Sequence, residues 1–415
     1  MTKEINDFTF YNPVTILFGK QKIEALPDLI PADKNVLILY GGGSVKRFGT
    51  LDRVKKALPH KKVGEFGGIE PNPTYETCMK AVEKIQSERY DYLLAVGGGS
   101  VIDAVKFIAA AATFEGNPID IFAKGVGKGQ PITSALPFGT ILTLPATSSE
   151  MNSTSVISFK EKKAKVSFSD PHVFPVFSIL EPELTYTLPK RQLANGVGDA
   201  FVHILEQYLT YPVGGMVQDE FAEGLLRILI DIGPRVVDET HHDYNLRANF
   251  MWTVTIALNR LLSVGVPGDW STHALGHEVT VLNNTDHARS LSALVPAMMV
   301  VRHKEKWDKL VQYAEKVWHV TTGSEEQKVE EAIKRTASFF QSIGMPVKLN
   351  EVGVTQADVD TLVSQLEARG QVNLSERGNQ TLDVSRSIYE KALDPDFHPS
   401  GDEPPFSGHI YPNKE

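Results

Sequence analysis

Five side chains between Asp199 and His287 carry donor atoms in a pattern that suits a metal ion. Asp199 and His203 stand four apart in NGVGDAFVHILEQYLT, which reads as a helix beginning near Gly198, so a carboxylate and an imidazole share one face. His273 and His277 repeat that spacing in STHALGHEVTVLN, and His287 follows a turn through Asn283 and Asn284. Two helices converging on one ion would offer imidazoles plus one carboxylate, a donor set for Zn²⁺ or Fe²⁺ that leaves a position for substrate. Each histidine alone is more readily a surface or satisfied core residue. The two paired spacings within one stretch are what favour a metal.

A second chemistry lies nearer the N-terminus, where the pattern strand, glycine turn, helix occurs twice. NVLILY leads into Gly41, Gly42, Gly43 and Ser44, and YDYLLAV leads into Gly97, Gly98, Gly99 and Ser100, with Asp103 one turn later. Glycine permits close backbone approach, and free N–H groups at a helix start favour phosphate. A dinucleotide has phosphates for both turns. Neither turn has the GxGxxG spacing, and glycine turns without ligands are common in α/β proteins. Further candidates are Asn72 in the loop EPNPT, Thr143, Thr147 and Ser149 in TLPATSSE, and Lys165 in the charged hairpin FKEKKAKVSF. The same residues also serve as helix caps or solvated polar groups. The first turn carries Lys46 and Arg47 and no acidic residue to repel a 2′-phosphate, which points to NADP(H) over NAD(H).

The elements that must position these groups follow from the apolar patterning. The first half alternates apolar strands without period-two polarity, as in a parallel sheet buried on both faces, with helices. Residues 8 to 18, FTFYNPVTILF, read as an early strand of the kind that pairs at an edge or with another subunit. From about residue 190 long amphipathic helical patterns take over, and from Asp394 the chain is rich in Pro, Gly and Asp, with His398 and His409 unpromising as ligands. This gives an α/β domain over 1–189, an α-helical domain over 190–393 and an extended tail over 394–415. At 415 residues, 42% hydrophobic and with a net charge of -9, the chain is an ordinary globular protein; nucleic acid and anionic membranes are excluded as expected partners. The lone cysteine, Cys78, rules out an internal disulfide and fits the cytoplasm, and the N-terminal residues lack a signal-peptide core.

These residues resemble the iron-containing (group III) alcohol dehydrogenase family over nearly the whole chain. Ser178 to Glu181, Pro189, Ala194 to Gly196, Asp199 and Glu206 follow its first signature, and His273, His277 and His287 keep the spacing of its second. Gly276 and the Asp286-His287-Ala288 run depart from the commoner form and resemble the NADPH-dependent aldehyde reductase and butanol dehydrogenase branch. The resemblance implies a Rossmann-like dinucleotide-binding α/β domain plus an all-α metal-binding domain, in a dehydroquinate synthase-like architecture, as a homodimer. It implies metal ligands at Asp199, His203, His273 and His287, and a non-ligating His277 facing the nicotinamide. Pyrophosphate contacts fall at Gly97, Gly98, Ser100 and Asp103, a 2′-phosphate pocket at Gly41, Gly42 and Ser44, and other cofactor contacts at Asn72, Thr143, Thr147 and Lys165. The activity implied is reversible, metal-dependent, NADPH-linked reduction of small to medium aldehydes to primary alcohols. The alternative is an NAD-using lyase or cyclase of the dehydroquinate synthase type, which would need cation clusters for a phosphorylated acid; the 199 to 287 region has no lysine, and its arginines, Arg227, Arg235, Arg247 and Arg260, are scattered.

Overall fold

The computed structural model describes residues 4–59, 62–238 and 242–400, so His409 and the end of the tail lie outside the described residues. The chain forms two compact units, one of Phe10–Gly196 with Asp238–Arg260, the other of Met1–Thr9, Val197–Val237 and Leu261–Glu415. No helix among the described residues is long and apolar enough to cross a membrane.

In chain order the first of these units holds β1 (Thr15–Phe18), α1 (Leu26–Leu29), β2 (Asn35–Tyr40), α2 (Ser44–Arg47), α3 (Thr50–Ala57), β3 (Lys62–Phe66), α4 (Tyr75–Glu88), β4 (Tyr92–Gly98), α5 (Gly99–Ala111), β5 (Phe138–Leu144), β6 (Thr154–Phe159), β7 (Ala164–Ser169) and β8 (Phe177–Leu180). Six strands make one all-parallel sheet in the order β1-β8-β5-β4-β2-β3, and β6 and β7 pair as an antiparallel hairpin. Alternate residues feed two cores. Val36, Ile38, Leu94 and Val96 enter one cluster, while Leu37, Leu39, Leu93 and Ala95 enter the other, which is why these strands read as continuous apolar runs. Glu181 of the first signature is structural: it accepts hydrogen bonds from Ile23 N at 2.8 Å and from Arg53 Nη1 at 2.8 Å.

The remaining helices are α6 (Lys190–Tyr208), α7 (Met216–Val237), α8 (Tyr244–Ala257), α9 (Ser271–Asn283), α10 (His287–Val301), α11 (Trp307–Lys316), α12 (Glu325–Ser342), α13 (Val359–Ala368) and α14 (Leu382–Leu393). Three expectations change. The helix expected from Gly198 begins at Lys190, since Gly196 is helical: a Cβ there would stand 2.2 Å from the Pro145 carbonyl oxygen, so the glycine serves packing rather than termination. The strand expected over 8–18 is confined to Thr15–Phe18, because Pro13 interrupts the run and the partner β8 is preceded by Pro175, which has no N–H for the ladder. The helix expected after the first glycine turn breaks at Gly49, which takes a φ of 77°. At the start of the tail, Phe397 is buried under the Lys391 ammonium, and Lys348 donates to the Asp394 carbonyl at 2.6 Å.

Candidate metal and nucleotide sites

One helical unit brings the metal candidates together. One donor atom each from Asp199, His203 and His273 lies within 4.8 Å of the others. Helix α6 presents the first two one turn apart, with His203 Nε2 3.7 Å from Asp199 Oδ1, and α9 delivers His273 with its ring stacked on that of His203 at 4.7 Å between centroids. His287 opens α10, and its Nε2 stands 3.9 Å from the same Asp199 oxygen, outside the tighter group of three. Gly276 permits this approach of α9 and α10, since a Cβ there would meet Leu291 Cδ2 at 2.7 Å. His277, half-buried, lies one turn further along α9, its ring 6.3 Å from that of His273 and 5.2 Å from that of His287. Trp270 edges against His273 at 5.5 Å.

Three further residues build this site, and sequence reasoning gave none of them a role. Helix α9 has no side-chain N-cap, because Trp270 precedes it in a left-handed conformation with φ 60°. Glu206 of α6, 2% exposed, does the capping instead: Oε1 accepts from Thr272 N at 2.6 Å and His273 N at 3.3 Å, and Oε2 bonds His273 Nδ1. That contact fixes a proton on Nδ1 and leaves Nε2 as the donor, the usual arrangement of a carboxylate behind a metal-binding imidazole. Asp269 braces the same turn, accepting from Ser271 N, and buried Lys306 grips its Oδ2 at 2.6 Å while donating to the Leu209 carbonyl. The signal for Glu206 was its place three residues after His203, on the same helix face. Burial, then the neighbouring His273, holds His203 well below the usual imidazole range, so its ring is neutral and able to donate a lone pair. Two or three imidazoles, one carboxylate and an outer carboxylate fit a borderline divalent cation.

The carboxyl ends of adjacent interior strands carry several of the nucleotide candidates. Both glycine turns leave adjacent parallel strands, β2 and β4, and the chain reverses its direction of strand addition between them; such a switch point is where open α/β sheets bind ligands. Thr143 lies near the end of β5, the next strand over, and Thr147 follows it. The two turns differ. At the first, Cβ atoms on Gly42 or Gly43 would meet nothing within 4 Å, and Ser44 is exposed. At the second, Cβ atoms on Gly97, Gly98 and Gly99 would collide with Val101, Leu144 and Thr147, so close packing already requires glycine there; Ser100 is half-buried. Asn72 and Lys165, far apart in sequence, are joined by a 2.9 Å hydrogen bond. Thr147 Oγ1 accepts from Ser149 N, the capping role of a threonine. Asp103 is turned inward: its oxygens accept from Ser149 Oγ at 2.5 Å and Val156 N at 3.0 Å, and burial raises its carboxyl. Beneath it Lys106, fully buried, donates to Ser149 Oγ, Asn152 Oδ1 and the Thr154 carbonyl, with burial drawing its ammonium down to about 7. On the strand next to the first turn, Glu65 of β3 lies against Tyr40, Lys46 and Lys55.

The profile described as iron-containing alcohol dehydrogenase matches residues 13–182, and that of the C-terminal part of the same family matches 193–391. The chain is 50% identical to the NADPH-dependent aldehyde reductase YqhD of Escherichia coli, covering 94% of this chain and 100% of that protein. It is 41% identical to a probable NADH-dependent butanol dehydrogenase of Bacillus subtilis, covering 88% and 95%. The crystal structure of Escherichia coli YqhD superposes with a TM-score of 0.91 over 94% of this chain and 99% of that one. That of the NADH-dependent butanol dehydrogenase A of Thermotoga maritima gives 0.89 at 32% identity, over 94% and 100%. The chain belongs to the iron-containing alcohol dehydrogenase family.

Proposed function

We propose that this protein reduces small to medium aldehydes to primary alcohols with NADPH, reversibly, using one divalent metal ion, Fe²⁺ or Zn²⁺. The observation that carries the reading is the convergence of Asp199, His203 and His273 on one point in a chain half identical to an aldehyde reductase named for NADPH. The balance is aldehyde plus NADPH plus a proton giving alcohol plus NADP⁺. Residues 1–189 hold the nucleotide, 190–393 the metal and substrate, and 394–415 lie outside both roles. A dehydroquinate synthase-type lyase is not favoured, since the relatives named above are reductases or dehydrogenases.

Asp199, His203, His273 and His287 would hold the cation. When bound, the cation polarises a carbonyl oxygen and NADPH supplies hydride to its carbon. The chain's own part is to orient and to manage the proton. Glu206 keeps the His273 proton on Nδ1, and Lys306 with Asp269 keeps α9 from shifting. His277, one turn beyond His273 on α9, passes a proton from a ring nitrogen to the alkoxide oxygen. Gly41, Gly42 and Ser44 receive the 2′-phosphate; Gly97, Gly98, Ser100 and Asp103 shape the pyrophosphate turn, Asp103 from beneath; Asn72, Thr143, Thr147 and Lys165 complete the nucleotide contacts. The assembly is a homodimer in the cytoplasm, where buried, unreactive Cys78 stays a thiol.

The test is stoichiometric. Butanal is mixed with NADPH and the holoenzyme, and butanol and NADP⁺ are quantified together. Equal amounts of both support the reading; NADP⁺ without alcohol, or no net nucleotide consumption, rejects it.

A further inference from the structure

The acid lying beside the first glycine turn is the feature that neither the family relationship nor the metal site uses. Glu65 is 24 residues beyond Gly41, near the end of β3, the strand adjacent to β2. Many dinucleotide-binding folds carry at this place the acid that accepts a hydrogen bond from the adenosine ribose 2′-hydroxyl and repels a 2′-phosphate. Here the register sets Glu65 opposite Ile38, on the side of the sheet where Tyr40, Val45 and α3 pack. Its carboxylate is engaged by three groups. Lys55 Nζ donates to Oε1 at 2.7 Å, Tyr40 OH donates to Oε2 at 3.2 Å, and Lys46 Nζ stands 3.8 Å from Oε2 and 5.0 Å from the Tyr40 ring. The hydrogen bond from Lys55 holds the carboxyl below its ordinary range, so Glu65 is ionised at neutral pH. The end of β3 is tied to the turn itself: Gly68 N donates to the Gly41 carbonyl at 3.1 Å, and Gly67 lies so close to Tyr40 that a Cβ would stand 2.4 Å from its ring. The cluster therefore cannot drift away from the turn without breaking backbone pairing.

We propose that Glu65, wedged between Tyr40, Lys46 and Lys55 beside the first glycine turn, sets how far this protein prefers NADPH over NADH. The inference rests on the nucleotide reading above. Two ammonium groups and one carboxylate leave the cluster a net charge of +1, and a phosphate monoester brings about -1.5 to -2. The lysines attract that phosphate and Glu65 opposes it, while NADH offers only hydroxyls, which a carboxylate accepts. Glu65 thus tempers a preference that the lysines create. It is a specificity residue and touches no reacting atom.

The experiment measures dissociation constants of NADPH and NADH by nucleotide fluorescence on the metal-loaded protein without aldehyde, at low and high salt. Glu65→Gln keeps the volume and an oxygen for Tyr40 but removes the charge. It should move the NADH-to-NADPH ratio of dissociation constants about 3- to 10-fold further toward NADPH at low salt, an effect that shrinks as salt screens the cluster. Lys55→Met, which frees the carboxylate of its shortest contact, should move the ratio the opposite way, and by less when Glu65→Gln is already present. A ratio unchanged within about twofold in both variants overturns the inference, as does a loss of NADPH preference in Glu65→Gln, which would make the glutamate a support for Lys46. Failure of the unmodified protein to bind NADPH would instead reject the nucleotide reading itself.

Discussion

Replacing Glu206 with glutamine tests whether the metal site is built from its outer contacts inward. The glutamine retains one acceptor oxygen for Thr272 N and His273 N, so the start of α9 keeps its cap. What changes is the partner of His273 Nδ1, where an amide N–H replaces a carboxylate oxygen. The imidazole escapes two opposed donors by moving its proton to Nε2, the nitrogen that should bear the lone pair for metal. Loss of such an outer partner typically weakens metal binding about 10- to 100-fold, or roughly 1.4 to 2.7 kcal/mol. Affinity is measured by competition with a chelator of known strength, alongside the thermal midpoint of the metal-free protein. Weakening of that size with a nearly unchanged midpoint supports the tautomer argument. Affinity within threefold of the unmodified protein refutes it, and a collapsed midpoint would make Glu206 a residue of folding alone.

Three other outcomes follow from the same geometry. His277→Ala should slow turnover by about 10² to 10⁴ while bound metal stays at the level of the unmodified protein, measured by rapid-mixing kinetics and elemental analysis; full activity would remove His277 from the proton path. Asp199→Ala should lose the metal, because the carboxylate lies within 4 Å of both His203 Nε2 and His287 Nε2; an active, metal-loaded variant would remove it from the ligand set. Lys106→Met deprives two buried oxygens and one half-buried carbonyl of a donor and should lower stability by about 2 to 4 kcal/mol in urea unfolding; a loss under about 1 kcal/mol would show the cluster to be permissive.

The chain discloses its local patterns more readily than its long-range contacts. β2 spans Asn35–Tyr40 as read, because a strand buried on both faces writes its apolar character into every residue. The paired spacings of Asp199 with His203 and of His273 with His277 are properties of single helices, and so were legible before any tertiary contact was known. Glu65 was not, since the short run Lys62–Phe66 carries no clear period and only the register with β2 brings its acid to the glycine turn. The helix start expected near Gly198 was too late for a related reason: glycine is a poor helix former, and only the neighbouring Pro145 carbonyl shows why Gly196 is needed inside α6. Asp103 reads as a group for the nucleotide turn, yet its carboxylate serves Ser149 and Val156, partners about fifty residues away.

The most direct test strips the protein with a chelator, reloads it separately with Fe²⁺, Zn²⁺ or nothing, and follows NADPH oxidation by butanal against metal content per chain. The account predicts negligible turnover without metal and recovery that rises in proportion to occupancy up to one ion per chain. Full turnover in protein shown to hold no metal would contradict it.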